Sequence, residues 1–128
     1  FRRAIAQALF TAKESTIDTL LRGDLPKGEA LAVARIAGIQ AAKQCGDLIP
    51  LCHPLPIEHV EVEFERTEPN TIRIQSSAVI IGKTGIEMEA LTAVTISALT
   101  LWDMTKAIDQ TLSIHEITLL EKQKKEVV

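Results

Sequence analysis

The chain has 128 residues and a formal net charge of −3, and 46% of its residues are apolar while 24% are charged. This length and composition predict one globular domain over 1–128, in which apolar runs stay shorter than the roughly 20 residues of a membrane span. Aromatic residues are only 3% of the chain, so we expect no nucleic-acid stacking surface, no membrane binding and a cytoplasmic location.

The sequence of residues 1–44 predicts one strand followed by two helices. Alternating alanines favour a strand at the start of the chain, although alanine itself prefers helices. Ser15 and Asp18 resemble a capping box for the first helix. The predicted elements are a strand over Arg2–Ala12, a helix over Ser15–Arg22 that ends at Gly23, a loop over Asp24–Gly28 that presents Lys27, and a helix over Glu29–Gln44 that ends at Gly46.

The segment DLIPLCHPLP, residues 47–56, has three prolines within seven residues and predicts a stiff loop that holds Cys52 and His53. Alternation of apolar and charged residues then predicts an antiparallel hairpin. Its strands are Ile57–Arg66 and Thr71–Ile81, joined by a turn at Glu68–Asn70. A last strand over Ser113–Leu120 precedes a charged tail, EKQKKE, that we expect to be solvated.

Gly82–Asp109 is the longest amphipathic stretch and predicts a helix of about 25 residues. Thr84 or Gly85 is the expected N-cap. The order β-α-α-β-β-α-β predicts an α+β, ferredoxin-like fold: a four-stranded antiparallel sheet with helices packed on one face. The opposite face would be bare, and a bare apolar sheet face or edge would invite a partner subunit.

Several charged residues in this region have both a structural and a functional interpretation. Lys83 precedes a helix N-terminus, where an anion could bind, but a solvated turn lysine is the commoner case. Asp103 and Lys106 share a helical face, either as an ordinary ion pair or as a pair tuned for proton transfer. Glu87 and Glu89 lie in the first helical turn, where acidic residues also stabilise the helix dipole.

Cys45, Cys52, His53 and His59 lie within fifteen residues. Their spacing is unlike that of common zinc sites, so we expect no metal and no cofactor. Lys27, His53, Lys83, Asp103 and Lys106 could together form a phosphate-binding acid–base site. From the residues alone, an enzyme, a ligand-binding domain and a structural subunit all remain open.

Two long strings carry a resemblance to a known family. KGEALAVARIAGIQAAKQCGDLIPLCHPLPIEHVEVEFE (27–65) and GKTGIEMEALTAVTISALTLWDMTKAID (82–109) resemble the cyclic pyranopterin monophosphate synthase family, the C protein of molybdenum cofactor biosynthesis. The resemblance implies a lyase that converts 3',8-cyclo-7,8-dihydroguanosine 5'-triphosphate to cyclic pyranopterin monophosphate and pyrophosphate. It also implies a homohexamer, a trimer of dimers, with each site at a dimer interface.

The resemblance also implies roles for individual residues. Asp103 matches the catalytic acid, and Lys27, Lys106 and Glu87 match further active-site positions. The expected substrate contacts are Leu51, Cys52, His53, Met88 and Glu89. Two departures from the family pattern are a missing N-terminal Met-Val-Asp-Val-Ser segment and a missing Gly-Gly-Lys-Ser-Gly near the C-terminus, which leads us to expect weaker substrate binding if either segment closes over the site.

Glu89 and Asp103 are fourteen residues apart in the predicted helix. At 1.5 Å per residue they would be separated by about 21 Å along its axis. Neither Pro nor Gly interrupts the sequence between Met88 and Ile108. One copy of the helix therefore cannot place both side chains on the same reacting atoms, and we expect two subunits to build each site.

Overall fold

A computed structural model describes residues 1–82 and 84–125. It contains four strands and four helices in the described part of the chain. They are β1 (Arg2–Thr11), α1 (Glu14–Arg22), α2 (Ala30–Lys43), α3 (Cys45–Leu48), β2 (His59–Glu68), β3 (Thr71–Ile80), α4 (Glu87–Thr105) and β4 (Ser113–Lys124).

The strands form one antiparallel sheet in the order β2-β3-β1-β4. This order and the helices packed against the sheet confirm the predicted ferredoxin-like α+β fold. β1 is a strand because Ala4, Ala6, Ala8 and Phe10 alternate toward the core, where each is at most 1% exposed. Burial in the sheet thus overrides the helical preference of alanine.

Helix α4 packs against both the sheet and the neighbouring helix α2 through small residues. A Cβ atom added at Gly38 of α2 would overlap the Ser97 hydroxyl and lie 2.8 Å from the Ala93 carbonyl oxygen of α4. Ser97 Oγ donates a hydrogen bond of 2.9 Å to the Ala34 carbonyl, and Ser76 Oγ of β3 donates one of 2.7 Å to the Ala90 carbonyl. These bonds and the close approach fix α4 in place on both sides. None of the described helices is both long and apolar enough to cross a membrane.

Several predicted element boundaries were wrong. α4 has 19 residues rather than about 25, and its N-cap is Ile86 instead of Thr84 or Gly85. The N-cap of α1 is Lys13, not Ser15, although Gly23 does end that helix in the left-handed conformation, with φ of 75°.

The loop expected from residue 47 begins later, because Cys45–Leu48 form the one-turn helix α3. Gly46 therefore lies inside α3 instead of ending α2. Strand β4 continues to Lys124, so residues 121–124 are paired with β1 and are not a free tail. Their side chains are nevertheless exposed, as a solvated segment requires.

Within the described part of the chain, nothing covers the sheet face away from the helices, as predicted, and this face is largely polar. Across it, Gln7 lies beside Gln75, which lies beside Glu63, and the next row contains an Arg73–Glu65 ion pair of 2.7 Å. Exposed apolar residues are found instead on the edge strand β4, where Ile117, Leu119 and Leu120 are 38–48% exposed. Of the two surfaces expected to invite a partner subunit, a bare apolar face or an apolar edge, the edge is therefore the better candidate.

Asp109 ties the end of α4 to the start of α1. Its Oδ2 accepts hydrogen bonds from Lys13 N–H at 2.9 Å and Thr16 Oγ1 at 2.8 Å, and its Oδ1 accepts two from Thr111, at 2.7 Å from the backbone N–H and 2.6 Å from the hydroxyl. Burial alone would raise the pKa of Asp109, but the hydrogen bonds from Thr111, Lys13 and Thr16 outweigh it and hold that pKa well below its usual range.

We expect Asp109→Asn to lower the free energy of unfolding by about 2–3 kcal/mol at pH 7, because an amide cannot accept all four hydrogen bonds. The pKa of Asp109 is lower in the folded than in the unfolded protein, so its carboxylate stabilises the fold fully above the unfolded-state pKa of about 3.9. This stabilisation is lost as the pH falls from that value through the folded-state pKa. Urea unfolding of the wild type and Asp109→Asn should show that their difference in free energy of unfolding is smaller at pH 3 than at pH 7. Asp24→Asn, at an exposed residue paired with Arg22, is the control; an equal effect there would contradict this role.

Candidate active site

Lys27, Asp103 and Lys106 form a cluster at the C-terminal end of α4. Lys106 Nζ lies 2.8 Å from Asp103 Oδ1, and Lys27 Nζ lies 3.0 Å from Asp103 Oδ2. The three side chains are 51–59% exposed. Hydrogen bonds from Lys106 and then Lys27 lower the pKa of Asp103. The cluster therefore presents an ionised carboxylate between two ammonium groups, with a net positive charge open to solvent.

Lys27 reaches this cluster from the loop after α1. Leu25 is 5% exposed and fixes the loop in the core. Its carbonyl accepts a hydrogen bond of 2.9 Å from Gly28 N–H, which closes a tight turn around Lys27. Gly28 has φ of 101°, a conformation that other residues adopt only with strain. The turn therefore directs Lys27 toward α4, and its Nζ also lies 3.5 Å from the Asp103 carbonyl oxygen.

A small pocket lies at the opposite, N-terminal end of α4, with a cavity volume of about 110 Å³. Glu89 is its most buried charged residue, at 2% exposure. Burial raises the pKa of Glu89, partly offset by hydrogen bonds from its own backbone N–H and from Cys52. The lining residues are Cys52, His53, Leu55, Thr84, Gly85, Glu87, Met88 and Glu89.

Cys45 and Cys52 meet behind this pocket. Their Sγ atoms are 3.9 Å apart, and Cys52 Sγ lies 3.8 Å from Glu89 Oε2. Gly46 allows this arrangement, because a Cβ atom there would lie 2.9 Å from the nitrogen of Pro54. Burial, then Cys45 and then Glu89 raise the pKa of Cys52 to about 11. Cys52 is therefore a neutral thiol at physiological pH.

A sequence profile of the MoaC family matches residues 1–125. The chain belongs to the MoaC family. It is 50% identical over 122 residues to a cyclic pyranopterin monophosphate synthase from Roseiflexus castenholzii, a match that covers 94% of this chain and 77% of the relative. It is 49% identical over 121 residues to a protein of the same name from Listeria monocytogenes, covering 94% and 76% respectively.

Membership of the MoaC family confirms the resemblance predicted from the two long strings. The chain is an enzyme, and a lyase is consistent with the relatives' name. Its biological context is molybdenum cofactor biosynthesis. These conclusions favour the enzyme over the binding domain and the structural subunit that the residues alone left open.

The structure divides the predicted MoaC site residues into two groups. Asp103, Lys106 and Lys27 lie at one end of α4, and Cys52, His53, Glu87, Met88 and Glu89 line the pocket at the other end. α4 is unbroken between Glu89 and Asp103, so their separation along the axis is about 21 Å. The single acid–base site expected to contain both His53 and Asp103 is therefore not assembled within one chain.

Two other predicted residues, Leu51 and His59, lie outside these two groups. Lys83 is outside the described residues. Leu51 is 95% exposed, next to the pocket in sequence but not part of its lining. His59 lies on β2 and pairs with Glu61 at 2.8 Å, away from the two cysteines.

Sequence reasoning missed two neighbours of the pocket. Cys45 was treated only as a poor zinc ligand, because the one-turn helix that brings it back to Cys52 was not expected. Lys122 Nζ lies 3.5 Å from Glu87 Oε1. It was assigned to a free tail because residues 121–124, Glu-Lys-Gln-Lys, contain no apolar residue that would extend the pattern of the preceding strand.

Proposed function

We propose that this chain converts 3',8-cyclo-7,8-dihydroguanosine 5'-triphosphate to cyclic pyranopterin monophosphate with release of pyrophosphate. The observation that carries the proposal is the Lys27–Asp103–Lys106 cluster in a chain about half identical to two proteins named for this activity. Two ammonium groups and a carboxylate suit a reaction that moves protons and releases an anion.

Lys27, Asp103 and Lys106 each have a proposed role in the step that releases pyrophosphate. A substrate hydroxyl attacks the α-phosphorus, forming a new P–O bond while the bond to the bridging oxygen of pyrophosphate breaks. Asp103 is ionised at neutral pH, as an exposed aspartate ordinarily is, and its carboxylate is the group in the cluster that has no proton, so we assign it as the acceptor of the hydroxyl proton. Lys27 and Lys106 stabilise the charge that develops on the departing pyrophosphate. Asp103 thus acts as the base in this step, and the ammonium groups are the available acids.

The pocket at the N-terminal end of α4 is the proposed binding site for the ring portion of the substrate. Glu89, Cys52 and His53 offer polar groups, and Met88 and Leu51 offer apolar surface beside them. Glu87 and Lys83 complete the proposed substrate contacts. The proposed chemistry requires no metal or cofactor, because each step is a proton transfer, a ring rearrangement or a phosphoryl displacement.

Each active site is proposed to combine the N-terminal end of α4 from one subunit with the C-terminal end from another. The separation of about 21 Å along one helix supports this arrangement. Exposed apolar residues close to both ends also support it, with Leu51 at 95% and Met88 at 38% near the pocket and Trp102 at 37% beside Asp103. The proposed assembly is a cytoplasmic hexamer, a trimer of dimers, in which each subunit is one domain.

Release of pyrophosphate from the cyclised nucleotide tests the proposed function. We expect stoichiometric release with appearance of the cyclic phosphate product, measured with the purified chain in a chelating buffer. A ligand-binding domain would instead show saturable binding without release. Binding without turnover, by a protein whose fold and assembly are verified, would refute the proposal.

A further inference from the structure

The buried group behind the pocket contains three atoms that can ligate a metal. Cys45 Sγ, Cys52 Sγ and a carboxylate oxygen of Glu89 lie within 4.8 Å of one another. The Cys45–Cys52 distance is 3.9 Å and the Cys52–Glu89 distance is 3.8 Å. Tetrahedral zinc, with Zn–S near 2.3 Å and Zn–O near 2.0–2.2 Å, separates its ligand atoms by roughly 3.5–3.8 Å. Two of the three ligand distances, both to Cys52 Sγ, are therefore already close to the spacing that such an ion needs.

We propose that Cys45, Cys52 and Glu89 form a binding site for a thiophilic divalent cation of the zinc class. Two sulfur ligands favour zinc over magnesium or calcium, which prefer oxygen donors. Binding forms two metal–sulfur bonds and one metal–oxygen bond, and the two thiol protons pass to solvent. Three protein ligands leave a fourth position for water or another small ligand.

The surroundings of the three ligands suit this ion. Cys45 is 1% exposed and Glu89 is 2% exposed, so two of the ligands are held by the packed core. Thr92 Oγ1 lies 3.5 Å from Cys45 Sγ, where its hydroxyl can donate to a thiolate and orient it. The spacing of Cys45 and Cys52 in the sequence argued against zinc. In the fold, however, α3 and the close approach of Pro54 to Gly46 bring the two cysteines together.

The consequence for activity rests on the proposed function, in which Cys52 and Glu89 contact substrate. An ion held by both residues would occupy part of the substrate pocket. Zinc is therefore expected to inhibit turnover in competition with substrate, whereas chelation leaves activity intact.

Cobalt is the probe for the site, because its thiolate complexes have an intense charge-transfer absorbance that carboxylate and imidazole complexes lack. The full chain, reduced with a phosphine, should bind one Co²⁺ per chain with this absorbance, and zinc should remove it. Cys45→Ser should weaken the binding at least about tenfold, because loss of a ligand costs no less than loss of an outer partner. His59→Ala, which removes the exposed His59–Glu61 pair, should leave the absorbance unchanged.

Three results would overturn the site. The first two are the absence of thiolate absorbance in the wild-type chain and the same absorbance and affinity in Cys45→Ser. A measurement without any variant is the protection of thiols by zinc against a thiol reagent, and unprotected thiols would also overturn it. Cobalt binding without inhibition by zinc would uphold the ion site and instead refute the substrate role of Cys52 and Glu89.

Discussion

Lys106→Met is expected to reduce turnover by about 10²- to 10⁴-fold while the fold is retained. Lys106 Nζ lies 2.8 Å from Asp103 Oδ1, so the substitution removes both a proton donor and a positive charge from the proposed phosphate site. Methionine keeps the length and flexibility of the side chain, and the side chain is 59% exposed, so stability should change little. The measurement is the rate of pyrophosphate release at saturating substrate, with circular dichroism as the check on folding.

Lys43→Met provides the matched control, because Lys43 is an exposed lysine at the end of α2, outside both clusters. Asp103→Asn should cause a loss similar to that of Lys106→Met. If the two residues act as a unit, the double variant should be little worse than either single one. Activity of Lys106→Met within about tenfold of wild type would remove this lysine from the proposed catalytic group.

Mixing two inactive variants, Glu89→Ala and Asp103→Ala, is expected to restore activity when subunits exchange. In a two-fold dimer whose sites each take Glu89 from one subunit and Asp103 from the other, a mixed dimer has one intact site and one doubly altered site. Random exchange makes half of the dimers mixed, so recovery should approach about one quarter of the wild-type rate. The readout is again pyrophosphate release, after mild denaturant and refolding of the mixture.

Exchange must be verified independently, for example by mass spectrometry of dimers in which one variant carries an affinity tag. Mixing Lys106→Met with Asp103→Ala is the matched control, since both residues lie at the same end of α4 and no dimer then has an intact site. Verified exchange without recovery in the first mixture would mean that Glu89 and Asp103 serve a site from one chain, or that one of them is dispensable.

Most of the sheet could be predicted from the sequence because alternation is a local signal. Val60 and Val62 alternate with glutamates in β2, and the alanines of β1 alternate in the same way. The one-turn helix α3 could not be predicted, because nearby prolines argue for a loop and a single turn has no periodicity. α4 was predicted too long at both ends, because the polar and apolar residues on either side of Glu87–Thr105 continue the helical pattern without belonging to the helix.

The site was predictable only where it depends on helical spacing. Asp103 and Lys106, three residues apart on α4, were correctly expected to share a face. Lys27 approaches them from 76 residues earlier in the chain, and nothing local in the sequence encodes that contact. The meeting of Cys45 with Glu89 likewise depends on tertiary packing, which explains why spacing rules for metal sites gave no indication of it.

The close contact of α2 with α4 has a consequence for substrate recognition. Gly38 and Ser97 leave no room for either helix to slide or rotate, and Ser76 holds α4 against the sheet as well. α4 is therefore a rigid element, and its length sets the distance between the two groups of site residues in each subunit. Each proposed site combines the N-terminal end of one α4 with the C-terminal end of another. The shape of such a site can therefore change only through the position of one subunit relative to the other. Inhibitors that hold this placement would act on the enzyme without resembling the proposed nucleotide substrate.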